Sequence, residues 1–184
     1  MLTLKISIFI FATIIIAAIS RKSLGNFRSH GFYRFFAWEL ILILFLLNVG
    51  FWFRNPFSWN QIISWIFLVG SAFCVIEGTR LLHARGKSDA LRRDESLYTF
   101  EKTTALVSQG IYRYIRHPLY ASLLFLAWGI FFKAPSPVGF LLGSGAGLVL
   151  TLTAKIEEKE NRDYFGDEYI AYMQKTKMFI PFIW

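Results

Sequence analysis

The stretch Gly110-Ile-Tyr-Arg-Tyr-Ile-Arg-His-Pro-Leu-Tyr-Ala121 joins a polar, aromatic segment to an apolar run at residues 119–132. Pro118 has no backbone N–H and a fixed φ, so it suits the first turn of a helix. It also pushes His117 towards extended geometry. The stretch therefore predicts a break at His117, followed by a membrane helix that starts beside one imidazole and two guanidinium groups. Such a helix end suits an anionic ligand group at a membrane surface.

Composition indicates an integral membrane protein. Hydrophobic residues make up 55% of the 184 and charged residues only 17%, which is low for a soluble domain. Apolar runs occupy residues 2–19, 35–53, 62–82, 119–132 and 138–154. A helix that crosses the hydrocarbon core needs about 20 residues. The first three runs are therefore long enough to span, whereas the last two are short and predict a tight hairpin around Lys133-Ala-Pro-Ser-Pro137. The fourth could lengthen through residues 112–116.

The expected fold is all-α, with about five transmembrane helices in a single domain over residues 1–184. Residues 1–82 would form three spans, the first of them a retained helix rather than a signal peptide because its apolar part is long and further spans follow. Residues 83–118 would be a cytosolic connection, residues 119–154 the helical hairpin, and residues 155–184 a cytosolic tail.

The distribution of Lys and Arg predicts the orientation. Lys5, Arg54 and Lys133 fall on one side of the membrane, and the other 17 of the 20 fall on the opposite side or at its helix ends. The positive-inside rule then puts the N-terminus outside and the C-terminus in the cytosol, in a plasma or inner membrane. Ser88 and Lys175 are accordingly expected in the cytosol. The net charge of +8 is an orientation and lipid-surface signal, and we expect no nucleic-acid partner.

Other patterns argue against further kinds of site. The single Cys74 excludes an internal disulfide and a multi-cysteine metal site. His30 and His83 have no partner at ligand spacing, so no metal is expected. The segment Gly143-Ser-Gly-Ala-Gly147 lies inside an apolar run with no strand before it, which favours helix packing over a phosphate loop.

A second polar cluster, Glu157, Glu158 and Glu160, follows the hairpin. If the fifth helix continues past residue 154, this cluster reaches the same membrane face as residues 83–118. For Glu158 and Glu160, a solvated helix face with in-register Lys and Arg pairs explains the spacing at least as well as a functional role does. After a turn at Gly166-Asp167, we expect a short interfacial helix with an apolar stripe.

The order of these motifs resembles one family. Gly-Ile-Tyr-x-x-x-Arg-His-Pro-x-Tyr, a two-helix hairpin, Glu-Glu, and then Phe-Gly-Asp-Glu-Tyr-x-x-Tyr are similar to the isoprenylcysteine carboxyl methyltransferase family. That family belongs to a wider group that includes phospholipid N-methyltransferases. The similarity covers roughly residues 104–182, and two motifs flanking a hairpin make it specific.

The resemblance implies methyl transfer from S-adenosylmethionine to a lipophilic small molecule or lipid at the cytosolic membrane face. Carried over by position, the cofactor site would be formed by residues with polar, aromatic or helix-start character: Thr104, Ala105, Leu106, Val107, Tyr112, Arg116, His117, Pro118, Leu119, Tyr120 and Glu157. Arg116, His117 and the helix start suit the cofactor carboxylate, and the tyrosine faces suit its sulfonium charge.

The acceptor is less defined than the cofactor. The family's substrate-side arginine corresponds to Thr153 in this chain, with Lys155 near enough to supply a cation instead. A carboxylate or thiolate acceptor needs little acid–base help, because proximity provides most of the rate, so no catalytic base is demanded. An amine acceptor would need one, and Glu157 or Glu158 would then be the candidate.

Two other functions remain as alternatives. The chain could be a phospholipid N-methyltransferase. It could instead be a non-catalytic structural or transport component of the membrane, which would require polar residues at mid-membrane depth, where Asn48 is the plausible case.

Overall fold

The computed structural model describes residues 2–86 and 103–183 of the chain. Residues 87–102, which include Ser88 and part of the predicted cytosolic connection, lie outside the described part. The helices, in chain order, are α1 (Leu2–Leu24), α2 (His30–Asn48), α3 (Trp59–Arg85), α4 (Pro118–Lys133), α5 (Pro137–Phe165) and α6 (Asp167–Lys175). Short 3-10 segments cover Val49–Phe51 and Gly110–Arg113.

The fold is that of an integral membrane helical protein, as predicted. Within residues 2–86 and 103–183, four helices are long and apolar enough to cross a membrane: α1, α2 with its 3-10 extension, α3 and α5. The fifth apolar helix, α4, has 16 residues. The idea that α4 lengthens through residues 112–116 is wrong, because Gly110–Arg113 forms a 3-10 turn and the helix begins at Pro118. The break falls at His117, where the proline disfavours helical geometry.

The α4–α5 hairpin is shaped by proline at both helix starts. Pro118 and Pro137 each occupy the first turn of their helix. Ser136 caps α5, since its hydroxyl accepts a hydrogen bond from the Gly139 N–H at 3.0 Å. With 29 residues, α5 is about 43 Å long, which exceeds the ~30 Å hydrocarbon core. Its last turns, which carry the Glu157 cluster, therefore have length to extend beyond the core.

The helices pack through small and apolar residues. On α5, Ala146, Leu150 and Ala154 recur at four-residue spacing and are fully buried, and on α2 Ala37 and Leu44 are equally buried. Within the predicted glycine-rich segment, Gly143 faces Leu44 on α2 and Gly147 faces Leu124 on α4. The small side chains thus let three helix backbones approach closely, as helix packing requires.

At the end of the molecule away from the Glu157 cluster, polar side chains satisfy the last carbonyls of the short α4. Asn48 donates to the Ile130 carbonyl at 2.9 Å, Ser64 to Gly129 at 2.6 Å, and Gln61 to Lys133 at 3.1 Å. Unpaired helix-end carbonyls are costly in an apolar environment. The polar residues at this end, Asn48 included, are therefore engaged in ending a helix.

The chain after α6 returns to the start of α4. The Arg116 N–H donates to the Lys177 carbonyl at 2.8 Å, and the Lys177 N–H donates to Tyr114 at 2.9 Å. The His117 N–H donates to Met178 at 3.2 Å. The extended residues that precede Pro118 are therefore held by the tail, and the tail closes one side of the α4 helix start.

Candidate functional site

The starts of α2 and α4 and the ends of α3 and α5 meet at one end of the bundle, and a cleft opens there. Its empty volume is about 640 Å³, including the part open to solvent. Most of the predicted cofactor residues line it: Leu106, Val107, Tyr112, Arg116, His117, Pro118, Leu119, Tyr120 and Glu157. The tertiary structure thus brings the two sequence motifs to one cavity.

The backbone before α4 is anchored by Arg116. Its Nε donates to Glu158 Oε1 at 2.7 Å, and its Nη1 donates to the carbonyls of Thr176 and Met173. The Arg116 and Glu158 side chains are only 10% and 9% exposed. The Arg116 side chain therefore ties the α4 start to α5 through an ion pair and to the tail through hydrogen bonds.

His117 lies at the floor of the cleft. Its ring stacks on Tyr120 with centroids 5.5 Å apart, and the edge of Phe179 meets it at 6.2 Å. The side chain is 3% exposed; Nδ1 is 4.0 Å from Glu157 and Nε2 is 3.4 Å from Glu158. Within the described residues, Nε2 is buried without a hydrogen bond. The imidazole therefore lies between two aromatic rings and two carboxylates at the edge of the cleft.

Glu157 is the carboxylate that lines the cleft. It accepts a hydrogen bond from the Tyr120 hydroxyl, and its side chain is 20% exposed. The first turn of α4 lies next to it, where backbone N–H groups and the helix dipole favour anions. The cleft therefore has two kinds of polar group close together: a helix start that favours anions and a carboxylate that favours cations.

The wall opposite α4 was not predicted as part of the site. Asn161 and Phe165 follow Glu157 at four-residue intervals on α5, and Tyr169 and Tyr172 of α6 complete the lining. The four-residue spacing, which places side chains on one helix face, was the signal that would have found Asn161 and Phe165.

The two tyrosines of this wall remain neutral. Burial raises the pKa of Tyr169 and of Tyr172 well above the ordinary tyrosine value, with the nearby Glu157 charge adding to the effect at Tyr169. The Tyr172 hydroxyl donates to the Tyr112 carbonyl at 2.7 Å. This bond joins α6 to the segment before α4, so the wall and the helix start hold each other in place.

Four predicted residues lie outside the cleft lining. The N–H groups of Thr104 and Ala105 donate to the Gly86 carbonyl at 3.0 and 3.3 Å, while the neighbouring Thr103 lines the cleft. Of the predicted substrate residues, Thr153 is fully buried inside the bundle, with its hydroxyl donating to Val149 at 2.8 Å. Lys155 is exposed on α5.

Of the two interpretations that the sequence left open for Glu158 and Glu160, the structure contradicts the solvated helix face with same-helix pairs. Glu158 is 7% exposed and pairs with Arg116, and Glu160 lies 2.5 Å from His30 Nδ1 at the start of α2. Sequence spacing shows only the partners available on the same helix, whereas both carboxylates pair with other parts of the chain.

A second, more apolar groove lies beside the first, between α3, the Gly110–Arg113 turn, α4 and the tail. Its empty volume is about 1,460 Å³, again including open space. Phe73, Phe125 and Phe179 line its apolar part, and Glu77 and Arg80 lie at its polar end. Phe179 also contacts His117, so one side chain separates the apolar groove from the cleft.

Among residues 2–86 and 103–183, no group of three His, Cys, Asp or Glu side chains is arranged to hold a metal ion.

Comparisons with known proteins agree with this architecture. The family described as "Phospholipid methyltransferase" matches residues 59–168, which include α3, the α4–α5 hairpin and most of the cleft. The chain is also 33% identical over 73 residues to methanethiol S-methyltransferase 1 of Bradyrhizobium diazoefficiens. That alignment covers 39% of this chain and 24% of the relative, so the chain corresponds to about a quarter of that protein's length.

Proposed function

Because the chain belongs to the phospholipid methyltransferase family, we propose that it transfers a methyl group from S-adenosylmethionine to a lipophilic acceptor at the cytosolic face of a membrane. The methyl-transfer chemistry follows from membership of this family. The cofactor, the class of acceptor and the membrane face are inferences, and each rests on a separate observation.

The cleft supports the choice of cofactor, and it is the observation that carries the proposal. S-adenosylmethionine presents a carboxylate, an ammonium, a sulfonium and a ribose diol. The cleft lining offers a helix start with His117 for an anion, and the Glu157 carboxylate and Asn161 amide for ammonium or hydroxyl groups. The faces of Tyr112 and Tyr120 suit a cation.

The residues of the cleft would act by holding and orienting the cofactor. Once bound, the cofactor supplies an electrophilic methyl group on a positively charged sulfur. Fixing that group in line with an acceptor is worth up to ~7–11 kcal/mol of the barrier. The aromatic wall of Phe165, Tyr169 and Tyr172 would exclude water from the same space.

The apolar groove supports a lipophilic acceptor. It opens among exposed apolar side chains of α3 such as Phe73, 61% exposed, and adjoins the cleft through Phe179. The arginine that the isoprenylcysteine carboxyl methyltransferase family uses on the substrate side corresponds to Thr153 in this chain, and Lys155 lies on the exposed face of α5. Arg116 is engaged by Glu158. A neutral or weakly anionic acceptor therefore fits better than a prenylcysteine carboxylate.

The nature of the acceptor decides whether a base is needed. The relative's name makes a thiol one acceptor to test, and a phospholipid amine is another. For an amine, Glu157 is the carboxylate in the cleft, whereas Glu158 is buried against Arg116 and is poorly placed to accept a proton from an acceptor.

Binding of S-adenosylhomocysteine to the purified protein in detergent tests the proposal, with calorimetry as the measurement. Glu157→Ala and His117→Ala should each weaken binding by about 1–3 kcal/mol, since each removes a polar group of the cleft. Glu168→Ala, an exposed glutamate on α6, is the matched control and should bind as the wild type does. Absence of wild-type binding, or unchanged affinity in both cleft variants, would overturn the proposal.

The acceptor is then identified by incubating the protein with labelled S-adenosylmethionine and a lipid extract, a phosphatidylethanolamine or a small thiol. The labelled product distinguishes the three sources. Wild-type protein that binds the cofactor but labels none of these acceptors would contradict the lipophilic-acceptor part of the proposal.

A further inference from the structure

The start of α2 packs against the last turns of α5, which carry Glu157 and Glu160. His30, the first residue of α2, is fully buried, and Arg34 one turn later is 5% exposed. Neither side chain lines the cleft. Two potential cations are thus buried side by side at the interface between α2 and α5, where charge is costly without compensation.

Glu160 anchors this pair to α5. Its Oε2 lies 2.5 Å from His30 Nδ1, and its Oε1 accepts a hydrogen bond from the His30 backbone N–H at 3.2 Å. A carboxylate at this position also interacts favourably with the N-terminal end of the α2 dipole. Glu160 therefore binds both the side chain and the backbone of the first helical residue, which holds α2 and α5 in one register.

The same two residues act electrostatically on Glu157. Glu157 lies three residues before Glu160 on the same face of α5, and Glu160 contacts His30. The Glu157 carboxylate is therefore close enough to the start of α2 for a favourable electrostatic interaction with His30 and Arg34. The Arg34 guanidinium carbon also lies 5.8 Å from the centroid of the Trp38 ring. Glu157 thus has Tyr120 and His117 on the cleft side and His30 and Arg34 towards α2, so its carboxylate is held between two helices.

We infer that His30 and Arg34 are positioning residues for the cofactor site, acting through Glu157. The inference rests on the proposed function, because it assumes that Glu157 contacts the cofactor. Both residues precede the 59–168 region that matches the family, so the positioning comes from a part of the chain outside that match. α2 is then part of the binding machinery and does more than anchor the protein in the membrane.

A double-mutant cycle tests the inference, with S-adenosylhomocysteine affinity as the readout. Arg34→Gln should weaken binding about tenfold in the wild-type background. Interaction energies of this size are common between residues that belong to one network of charged groups. In a Glu157→Gln background, the same change should weaken binding less than about twofold, because the charge on which Arg34 acts is gone. Arg34→Lys should recover part of the affinity, since it restores the cation but not the planar fork.

Arg28→Gln is the matched control. Arg28 is exposed in the loop between α1 and α2, with its guanidinium carbon 5.6 Å from the centroid of the Phe27 ring. Its replacement should leave the affinity unchanged. If Arg34→Gln does not fold, Glu160→Gln replaces it in the cycle. The Glu160→Gln side chain keeps an acceptor for the His30 N–H, but it lacks the negative charge of Glu160 that favours a cationic His30. It should weaken binding about threefold when Glu157 is present and have little effect when Glu157 is replaced.

The outcomes separate the two proposals. No binding by the wild type removes the proposed function. Wild-type binding with equal affinity in the Arg34 and Glu160 variants overturns the positioning role. Equal losses in the wild-type and Glu157→Gln backgrounds, together with lower melting temperatures of the ligand-free variants, assign these residues to folding alone and also overturn it.

Discussion

Glu157 and Glu158 are adjacent in sequence, yet we expect their removal to affect different properties. Glu158→Ala removes the carboxylate that pairs with the buried Arg116 at 2.7 Å and that lies 3.4 Å from His117. Glu157→Ala removes a group that lines the cleft and accepts from the Tyr120 hydroxyl. The first change should lower stability, and the second should lower affinity for the cofactor.

The magnitude for Glu158→Ala follows from the state of Arg116. Removing one partner of a buried ion pair costs about 3–5 kcal/mol. Arg116 would still donate to the carbonyls of Thr176 and Met173, so we expect the lower end, about 3 kcal/mol. For a chain of this size that corresponds to a fall of about 6–12 °C in melting temperature. Glu157→Ala should cost less, about 1–2 kcal/mol, because water in the open cleft can replace the acceptor of the Tyr120 hydroxyl and only the nearby charge for the buried Arg34 is lost.

The assay is thermal unfolding of the ligand-free protein in one detergent, followed by circular dichroism, for wild type, Glu158→Ala, Glu157→Ala and the exposed control Glu168→Ala. Glu158→Gln should fall between wild type and Glu158→Ala, since it keeps an acceptor without the charge. A Glu158→Ala melting temperature within about 2 °C of wild type would refute the argument that this ion pair holds the α4 start to α5.

Three further predictions concern topology, substrate and pH. In a Cys74→Ala background, a cysteine at Asn55 should react with an impermeant thiol reagent in intact cells and one at Lys175 should not; the reverse pattern would contradict the orientation from the charge distribution. A farnesylated cysteine derivative should be turned over at least about tenfold less efficiently than the best lipid or thiol acceptor, and efficient turnover that collapses in Lys155→Ala would contradict this. Burial raises the pKa of Tyr172, while the unfolded phenol ionises near 10, so the free energy of unfolding should fall as pH rises above about 10. Tyr172→Phe should flatten that fall, and identical pH profiles would show that Tyr172 does not cause it.

The hydropathy pattern alone was sufficient to predict the membrane helices and the hairpin. Burial of apolar side chains in lipid depends on the length and composition of one segment, so α1, α2, α3 and α5 appear where the apolar runs lie. The helix start at Pro118 could also be predicted from local sequence, because the proline ring restricts its own φ and the conformation of the residue before it. The assignment of residues between Leu106 and Tyr120 to a cofactor site came from the resemblance to a known family and not from these local rules.

The partners of the charged side chains were decided by the tertiary structure. Glu157 and Glu158 differ by one position on α5, which turns one towards the cleft and the other towards Arg116. The pairing of Glu160 with His30 joins residues 130 apart in sequence. Such contacts depend on how two helices are rotated and shifted against each other, and a same-helix spacing rule carries no information about that.

At the end of α4, too, the sequence determined one feature and the tertiary structure another. Its apolar composition was evident from the sequence, but a helix of 16 residues is short for a span. Asn48 and Gln61, from two other helices, donate to its last carbonyls. The sequence by itself determined that this segment is an apolar helix, because hydrophobic character is a property of the segment. Only the tertiary structure decided how that helix ends and which carboxylates face the cleft, because hydrogen bonds and ion pairs require atoms from different helices to meet within about 3 Å.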